Sequence, residues 1–348
     1  MRVEEIYRVS LKNFLFYTIL LVILIVISML LSVSVGSTIS LGDIVQSLIR
    51  TPTSTDDPVL TILLLRLGRT VAAVLVGFSL ALSGLLMQTV TRNPLADPYI
   101  FGLSTSSLAF AALGMILALE YRLSLAYERY YVITIAFAGA MVGYMITLTL
   151  SRIAGGGVLS MTLAGVAVST FFSSISSVLL YLLQSMTGSP YIYLLVGGFF
   201  ETLLWRDIPY ILYSLIICLI TSLLLYKYLN AYLYGDEYSR VVGYNPSVTR
   251  VLASLVASLA TATTVSLVGV IGFIGIAAPH IARSLVGSDH RYTILITMLV
   301  GGLVTLLADI IARVISMSLS IGSIPTGFIT ALIGSPFLAY VVIRRVRS

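Results

Sequence analysis

Long apolar stretches recur along the entire chain, and they constrain its fold more than any other feature of the sequence. A helix needs about 20 apolar residues to cross the roughly 30 Å hydrocarbon layer of a membrane. The pattern therefore predicts an all-α integral membrane protein of about ten transmembrane helices in a single domain, residues 1–348. The predicted spans are 14–35, 71–89, 99–119, 130–150 and 162–183 for helices one to five (about 14–183), and 208–228, 248–268, 270–286, 293–312 and 326–343 for helices six to ten (about 208–343).

The composition supports this interpretation. Hydrophobic residues make up 58% of the chain and charged residues only 10%, with a mean hydropathy of +1.05, whereas a soluble domain carries about a quarter charged residues. The first span follows Arg2, Arg8 and Lys12 and in that respect resembles a secretory signal, but it is longer than the about 7–15 apolar residues of a signal peptide. We expect it to be retained as the first membrane helix.

The distribution of Lys and Arg predicts the orientation of the chain. Ten crossings place both termini on the same side, and with the termini in the cytoplasm, 13 of the 20 basic residues face the cytoplasm and 7 face the exterior. Short cytoplasmic loops carry the excess of basic residues in membrane proteins. We therefore expect both termini to be cytoplasmic, and we attribute the net charge of +6 to topology rather than to nucleic-acid binding.

Few residues suited to catalysis or metal binding are present. Cys218 is the single cysteine, and the two histidines, His280 and His290, belong to no close His/Cys/carboxylate cluster of the kind that holds a metal. A glycine loop ending in Gly-Lys-Ser/Thr is also absent. We expect no metal or cofactor on this chain, and any nucleotide chemistry must come from a partner.

The turn between the second and third spans is the first candidate motif. It reads Asn93-Pro94-Leu95-Ala96-Asp97-Pro98. Asp97 followed by Pro98 favours a helix start, because the carboxylate caps free amides and proline fits the first turn. A tight, well-capped cytoplasmic turn is the simplest interpretation.

A series of motifs gives this turn a second interpretation, since their order and spacing from about residue 65 to the C-terminus resemble the FecCD family of permeases. The resembling segments are Leu65-Arg66-Leu67-Gly68-Arg69-Thr70, Gly77, Ser83-Gly84, Gln88, 92–98, 269–275, Pro279-His280-Ile281-Ala282-Arg283, 287–291, 308–313, Pro325-Thr326-Gly327 and Gly334-Ser335-Pro336-Phe337.

The resemblance implies the fold and the partners of a type II ATP-binding-cassette (ABC) importer. The chain would be a plasma-membrane permease rather than an enzyme, working as a homodimer. Two ATP-binding subunits, which hold ATP and Mg, would dock on the cytoplasmic side, and a substrate-binding protein on the outer side. The expected cargo is a metal chelate, an iron-siderophore first, with cobalamin, haem and molybdate left open.

Arginines of the outer side are candidate docking residues. In similar permeases, arginines that match Arg66, Arg69 and Arg313 meet acidic residues of the binding protein, and exposed charges of this kind steer docking. Alternatively, all three snorkel at the membrane edge, or Arg313 pairs with Asp309 four residues earlier. Gly68 replaces a proline of the family pattern and Ser323 replaces a glutamate, so the outer vestibule is expected to differ.

The longest cytoplasmic connection, 229–247, is the candidate contact with the ATPase. Its length and its helical potential over 236–242 distinguish it from an ordinary connecting loop, which is the alternative. In similar permeases this loop forms coupling helices that sit in a cleft of each ATPase subunit. The candidate coupling residues are Asp236, Glu237, Tyr238, Ser239, Arg240, Gly243 and Tyr244.

Small polar residues of the fifth span are candidates for the translocation path. Ser169, Ser173 and Ser176 share one helical face, and such a stripe either lines a watery passage or lets two helices pack closely. Similar permeases place helix five beside the passage and an inner gate near Leu159 and Ser160.

An ion-gradient-driven secondary transporter is the alternative function. That class usually carries ionisable groups near the membrane midplane, and Asp309 is the single acidic residue that the predicted spans place inside a helix. An intramembrane enzyme is disfavoured, because no His or Lys lies in mid-span to activate a serine.

Overall fold

The computed structural model describes residues 3–35, 58–123, 125–156 and 158–347, and this part of the chain folds into helices without strands. Two short 3-10 helices, Ile192–Leu195 and Phe200–Thr202, separate the first five α-helices from the rest. The α-helices are α1 (Val3–Ser34), α2 (Pro58–Thr91), α3 (Leu103–Glu120), α4 (Leu125–Ile153), α5 (Val158–Thr187), α6 (Ile208–Leu224), α7 (Tyr226–Leu233), α8 (Asp236–Val241), α9 (Pro246–Val268), α10 (Ile274–Val286), α11 (His290–Ser318) and α12 (Thr326–Arg347).

Every predicted span overlaps a helix, so the all-α membrane fold is confirmed. Seven of the described helices are long and apolar enough to cross a membrane, and the pair α6–α7, bent by 64°, makes an eighth if it counts as one span. α10 and the apolar part of α12, Thr326–Ala339, are shorter. Residues 36–57, which connect α1 to α2, lie outside the described residues.

The prediction of a full eighth span over 270–286 is wrong. α10 has 13 residues, which at 1.5 Å per residue is about 20 Å and too short to cross the hydrocarbon layer. The chain before it leaves the helical conformation, since Gly269 and Phe273 adopt φ angles of +79° and +71°. The apolar run was long enough for a span, but these backbone turns divide it.

Irregular backbone next to α10 is satisfied by other backbone groups. The amide of Val270 donates to the carbonyl of Leu194 (3.0 Å), and the amide of Gly198 donates to the carbonyl of Val268 (2.8 Å). The amide of Gly327, at the start of α12, donates to the carbonyl of Gly197 (3.2 Å). Non-helical backbone within a membrane protein requires such partners. We call this meeting of 194–198, 268–270 and 326–327 the backbone junction.

α2 lies at the centre of the bundle. In its most apolar 18 residues, 83% are buried, against 17% for the corresponding part of α1, which leaves α1 largely open to lipid. Ser83 of α2 donates to the carbonyl of Ala257 in α9 (2.9 Å) and lies 2.7 Å from the hydroxyl of Thr261. Hydroxyl bonds of this kind join helices in membranes, where burial of apolar surface gives little attraction.

Glycines bring α2 against its neighbours. A Cβ atom at Gly84 would lie 2.2 Å from the carbonyl oxygen of Gly275 in α10, and one at Gly77 would lie 2.4 Å from that of Gly301 in α11. Both contacts are backbone to backbone, so no side-chain rearrangement relieves them. The close approach of these helices therefore requires glycine at both positions of α2.

We predict that Gly84→Ala lowers the free energy of unfolding by about 1–3 kcal/mol, because the methyl group must push α2 and α10 apart. Thermal unfolding of the detergent-solubilised protein measures this loss. Gly272→Ala is the matched control, since nothing lies within 4 Å of a Cβ atom there. Equal stability of the two variants would contradict the close helix contact.

Candidate functional sites at the two ends of helix α2

Two polar clusters lie at the ends of α2, which with 34 residues is about 51 Å long. We call them the outer and the inner cluster, following the sides that the distribution of basic residues gives them. The outer cluster comprises Ser32, Arg66, Arg69, Glu201, Asp309, Arg313, Ser323 and Thr326; the inner cluster comprises Gln88, Arg92, Asn230, Tyr232, Asp236, Arg250, Arg283 and His290.

Asp309 of α11 is the centre of the outer cluster. Its side chain is fully buried, and it forms ion pairs with Arg69 (2.8 Å) and Arg313 (3.1 Å), whose side chains are only 13% and 12% exposed. Thr326 at the start of α12 donates to the same carboxylate (3.2 Å). Two arginines and a hydroxyl thus compensate one buried acid, as a buried charge requires.

Two arginines of the outer cluster, Arg313 and Arg66, also bind the C-terminal end of α1. Arg313 donates to the carbonyl of Ser32 (2.7 Å), and Arg66 donates to the carbonyl of Val33 (3.2 Å). These carbonyls belong to the last helical turn, where no partner within the helix is available. The outer cluster therefore ties α1 to α2 and α11.

Glu201 is a member of the outer cluster that the sequence analysis missed. Its carboxylate accepts a hydrogen bond from Ser323 (2.6 Å) and forms an ion pair with Arg69 (3.3 Å), and its side chain is 40% exposed. A glutamate of the family pattern is replaced by Ser323, and Glu201 lies in hydrogen-bond contact with that serine. The vestibule therefore retains an acidic group, supplied from another segment of the chain.

The other departure from the family pattern also has a structural partner. A Cβ atom at Gly68 would lie 3.2 Å from the indole nitrogen of Trp205, and that nitrogen donates to the carbonyl of Leu64 (2.9 Å). The indole ring packs against the helix where a larger residue would crowd it. Gly68 thus makes room for Trp205.

The outer cluster borders a cavity of about 420 Å³, which Arg69, Arg313 and Ser323 help to line. The predicted alternative for Arg313, a pair with Asp309, is present, and Arg69 shares that acid. Arg66 is half-buried, and neither of the two Asp309 ion pairs includes it. The docking role of Arg66, Arg69 and Arg313 stays a prediction.

At the inner end, the turn after α2 is held by buried polar contacts. Asn93 accepts a hydrogen bond from the amide of Leu95 (3.0 Å) and donates to Thr162 of α5 (3.4 Å). His280 of α10 donates from Nε2 to the carbonyl of Pro94 (2.8 Å). The motif therefore connects α2 to α5 and α10.

The interpretation of Asp97 and Pro98 as the start of the third helix is wrong. α3 begins at Leu103, after Gly102 in the left-handed conformation (φ +82°). The Asp97 carboxylate instead accepts the amide of Phe273, directly before α10 (3.3 Å), and bonds the backbone of Tyr99. Burial raises the pKa of the Asp97 carboxyl to about 6, against the opposing effect of these two hydrogen bonds.

The short helix predicted over 236–242 is present as α8, and Asp236 anchors it. Arg92, at the end of α2, donates to one oxygen of Asp236, and Arg250, in the first turn of α9, donates to the other (3.1 Å). Both arginines also contact Tyr232 of α7. Burial tends to raise the pKa of Asp236, but the hydrogen bond and charge of Arg92, with those of Arg250 and Arg240, outweigh it and lower the pKa.

The remaining coupling residues divide between the protein interior and its surface. Ser239 is buried and Tyr244 stacks near Tyr228, with ring centroids 4.3 Å apart. Tyr238 is 47% exposed, and the adjacent Val241 is 85% exposed. Exposed members of the segment are Glu237, Tyr238, Arg240, Val241, Val242 and Gly243.

The serines of α5 pack against the start of α3. Ser169 donates to the carbonyls of Tyr99 (2.8 Å) and Ile100 (3.0 Å), and Ser176 lies 3.2 Å from the carbonyl of Thr105. These contacts correspond to the close-packing alternative. Ser173 is half-buried, and its role in the path stays a prediction.

The candidate inner gate lies at the start of α5. Leu159 is 71% exposed, and Ser160 donates to the carbonyl of Ala154 (2.6 Å), which closes the turn between α4 and α5. Gly155 and Gly156 in this turn adopt φ angles of +95° and +74°. The gating role stays a prediction.

Neither histidine is placed as a metal ligand. His290 is buried between Thr89 (2.8 Å) and Asn230 (2.8 Å). Within the described residues, no three His, Cys, Asp or Glu side chains are grouped to hold a metal ion.

A bundle of long apolar helices with ion-pair clusters at both ends, and a short helix clamped at one of them, defines a multi-pass membrane protein. Residues 20–344 match the FecCD transport family, and the chain belongs to that family. It is thus the membrane-spanning permease subunit of an ABC importer, not itself an enzyme, and its family works with ATPase and substrate-binding partners.

Similar proteins extend over nearly the entire chain. A Methanocaldococcus jannaschii protein assigned as an ABC transporter permease is 31% identical over 354 residues, covering 99% of both chains. The Fe(3+) dicitrate transport system permease protein FecC of Escherichia coli is 33% identical and covers 81% of this chain and 82% of its own. A metal-chelate type ABC transporter solved in an inward-facing conformation superposes with a TM-score of 0.72 at 27% identity, over 94% of this chain and 98% of that chain.

We predict that Asp309→Asn lowers the free energy of unfolding by about 3–5 kcal/mol, because it leaves Arg69 and Arg313 without their shared buried counter-charge. Thermal unfolding in detergent measures the change. Glu201→Gln is the control, since a partly exposed pair contributes about 1 kcal/mol or less. If both variants unfold at the same temperature, the shared acid does not hold the cluster together.

Proposed function

We propose that two copies of this chain form the membrane pathway of an importer for iron chelates. The cargo class is supported by the iron-citrate permease and the metal-chelate type transporter that the chain resembles. ATP and Mg would be bound by two partner ATPase subunits, and a separate binding protein would deliver the chelate. Both termini would lie in the cytoplasm, on the side of the inner cluster, which the count of basic residues favours.

The anchoring of α8 by Asp236 is the observation that carries this proposal. Because Arg92 and Arg250 grip the two oxygens of one carboxylate, a displacement of α8 pulls on α2 and α9 together. These two helices are joined again at mid-membrane by Ser83 and Thr261. A force applied by an ATPase to this short helix would therefore reach the bundle core.

The surface of α8 suits a protein partner. Tyr234 is 77% exposed, and Tyr238, Val241 and Val242 are exposed beside it. Apolar and aromatic side chains exposed together on a loop outside the membrane commonly mark an interaction site. The partner ATPase would cover this patch.

The structure of the outer cluster disfavours a secondary transporter. Asp309 is buried within α11 and is already paired with two arginines. A carboxylate that carries a proton or sodium ion must release its partners in each cycle, and Asp309 would have to release two arginines and the Thr326 hydroxyl. Asp309 is therefore better suited to structure than to ion transport.

We predict that vesicles containing the permease and its ATPase, with the substrate-binding protein added outside, take up ferric citrate only with ATP, and that ionophores which collapse ion gradients do not abolish the uptake. Asp236→Asn should reduce the amount transported per ATP hydrolysed, because an amide has one acceptor oxygen and no charge and cannot hold both Arg92 and Arg250. Glu120→Gln makes the same charge change at the other end of the molecule and should transport normally. Gradient-driven uptake by the permease alone would instead establish the secondary transporter.

We predict that Arg66→Glu weakens binding of the substrate-binding protein about tenfold or more and lowers the unfolding temperature less than Arg69→Glu does, because Arg66 bonds Val33 but lies outside the Asp309 ion pairs. Arg69→Glu should lower both, since it places a third acid beside Asp309 and Glu201. Binding of the substrate-binding protein is measured by surface plasmon resonance on detergent-solubilised permease immobilised on the chip. Arg206→Glu, at an exposed outer position, is the charge-matched control, and equal losses for Arg66 and Arg206 variants would reject the docking role.

A further inference from the structure

A cleft of about 210 Å³ opens beside the inner cluster, between the C-terminal ends of α2 and α10. Ten residues line it, including Arg92 and Arg283, and none of the ten is acidic. Ser288, in the exposed turn between α10 and α11, lies at its rim. Seven of the ten residues are basic or polar, while Leu85, Pro94 and Leu233 are apolar, and the cleft lies at the end of the molecule that carries α8.

Arg283 has a single side-chain hydrogen-bond partner among the described contacts, and that partner is neutral. Its half-buried guanidinium donates to the side-chain oxygen of Gln88, and the amide nitrogen of Gln88 in turn donates to the carbonyl of Gly275 (3.0 Å). Across the described ranges, no carboxylate lies within ion-pair distance of Arg283. A guanidinium has five N–H donors, so one neutral acceptor uses little of its capacity.

Several other arginines have a carboxylate partner within the chain. Arg69 and Arg313 share Asp309, Arg129 pairs with Asp207, and Arg92 pairs with Asp236. A largely buried cation without a counter-charge is costly. The counter-charge of Arg283 is therefore expected from outside the chain, and the cleft is the route by which it arrives.

We propose that this cleft binds a phosphate group, supplied either by an anionic phospholipid or by free phosphate. The planar fork of Arg283 matches the oxygens of a phosphate, which it binds bidentately. The volume equals about seven water molecules at roughly 30 Å³ each, which accommodates the group with part of its hydration. Basic clefts between membrane helices at the cytoplasmic side are typical sites for phospholipid head groups.

The test uses the full chain, purified and delipidated in a maltoside detergent, which contains no phosphate. The unfolding temperature is measured against inorganic phosphate at constant ionic strength with chloride, and separately against phosphatidylglycerol and phosphatidylcholine. A bound anion stabilises the folded protein in a saturable manner. Saturation with inorganic phosphate assigns the site to the free anion, and saturation with phosphatidylglycerol alone assigns it to the lipid.

Two pairs of variants locate the effect. Arg283→Gln should weaken the apparent affinity about tenfold or more, whereas Arg291→Gln, which removes the same charge from an exposed position of the same end, should not. Ser288→Asp places a negative charge at the rim while leaving every arginine contact intact, and it should abolish the stabilisation; Ser284→Asp, exposed but not lining the cleft, is its control. The proposal is overturned if no phosphate compound stabilises the protein, or if each variant behaves as its control does.

Discussion

The close approach of α2 to α10 and α11 is the contact on which the rest of the structure depends. The backbones are in direct contact at Gly84 and Gly275, and again at Gly77 and Gly301. No side chains separate the helices there, so α2 cannot shift along its neighbours without a backbone clash. Its position then fixes the residues at both of its ends. Arg69 reaches Asp309 at one end, and Arg92 reaches Asp236 at the other, because the helix between them is held in register.

The sequence predicted the membrane helices well where apolar length alone decides, and less well where polar contacts do. α2 begins at Pro58, whereas the predicted span begins at 71. Arg66 and Arg69 interrupt the apolar run in the sequence, but the helix continues through them because both arginines bind acceptors on neighbouring helices. Asp97 shows the converse error. Its pattern is that of a local helix cap, yet its carboxylate bonds the amide of Phe273, far along the chain. Periodicity and capping rules describe local structure only, so neither predicts a contact between Asp97 and Phe273.

The short helix α8 was predictable because its signals are local. Gly235 and Gly243 adopt φ angles of +117° and +85° on either side of it, conformations that glycine reaches without strain. What the sequence did not reveal is its attachment. The contact between Asp236 and Arg92 joins residues 144 positions apart, and no pattern within a single sequence identifies such a pair.

The two departures from the family pattern at the outer side are connected. Gly68 lies against Trp205 and Ser323 bonds Glu201, so both unusual residues contact the same segment between α5 and α6. A change at either position alone would leave an indole without space or a carboxylate without its hydroxyl donor. The two departures from the family pattern are thus accompanied by their contact residues, Trp205 and Glu201.

The backbone junction has a mechanical consequence. Backbone hydrogen bonds to residues 194–198 join the C-terminal end of α9, the non-helical segment before α10 and the start of α12. The connection between these segments therefore does not depend on the surrounding side chains. A tilt of α9 would therefore displace these segments together instead of bending each of them separately.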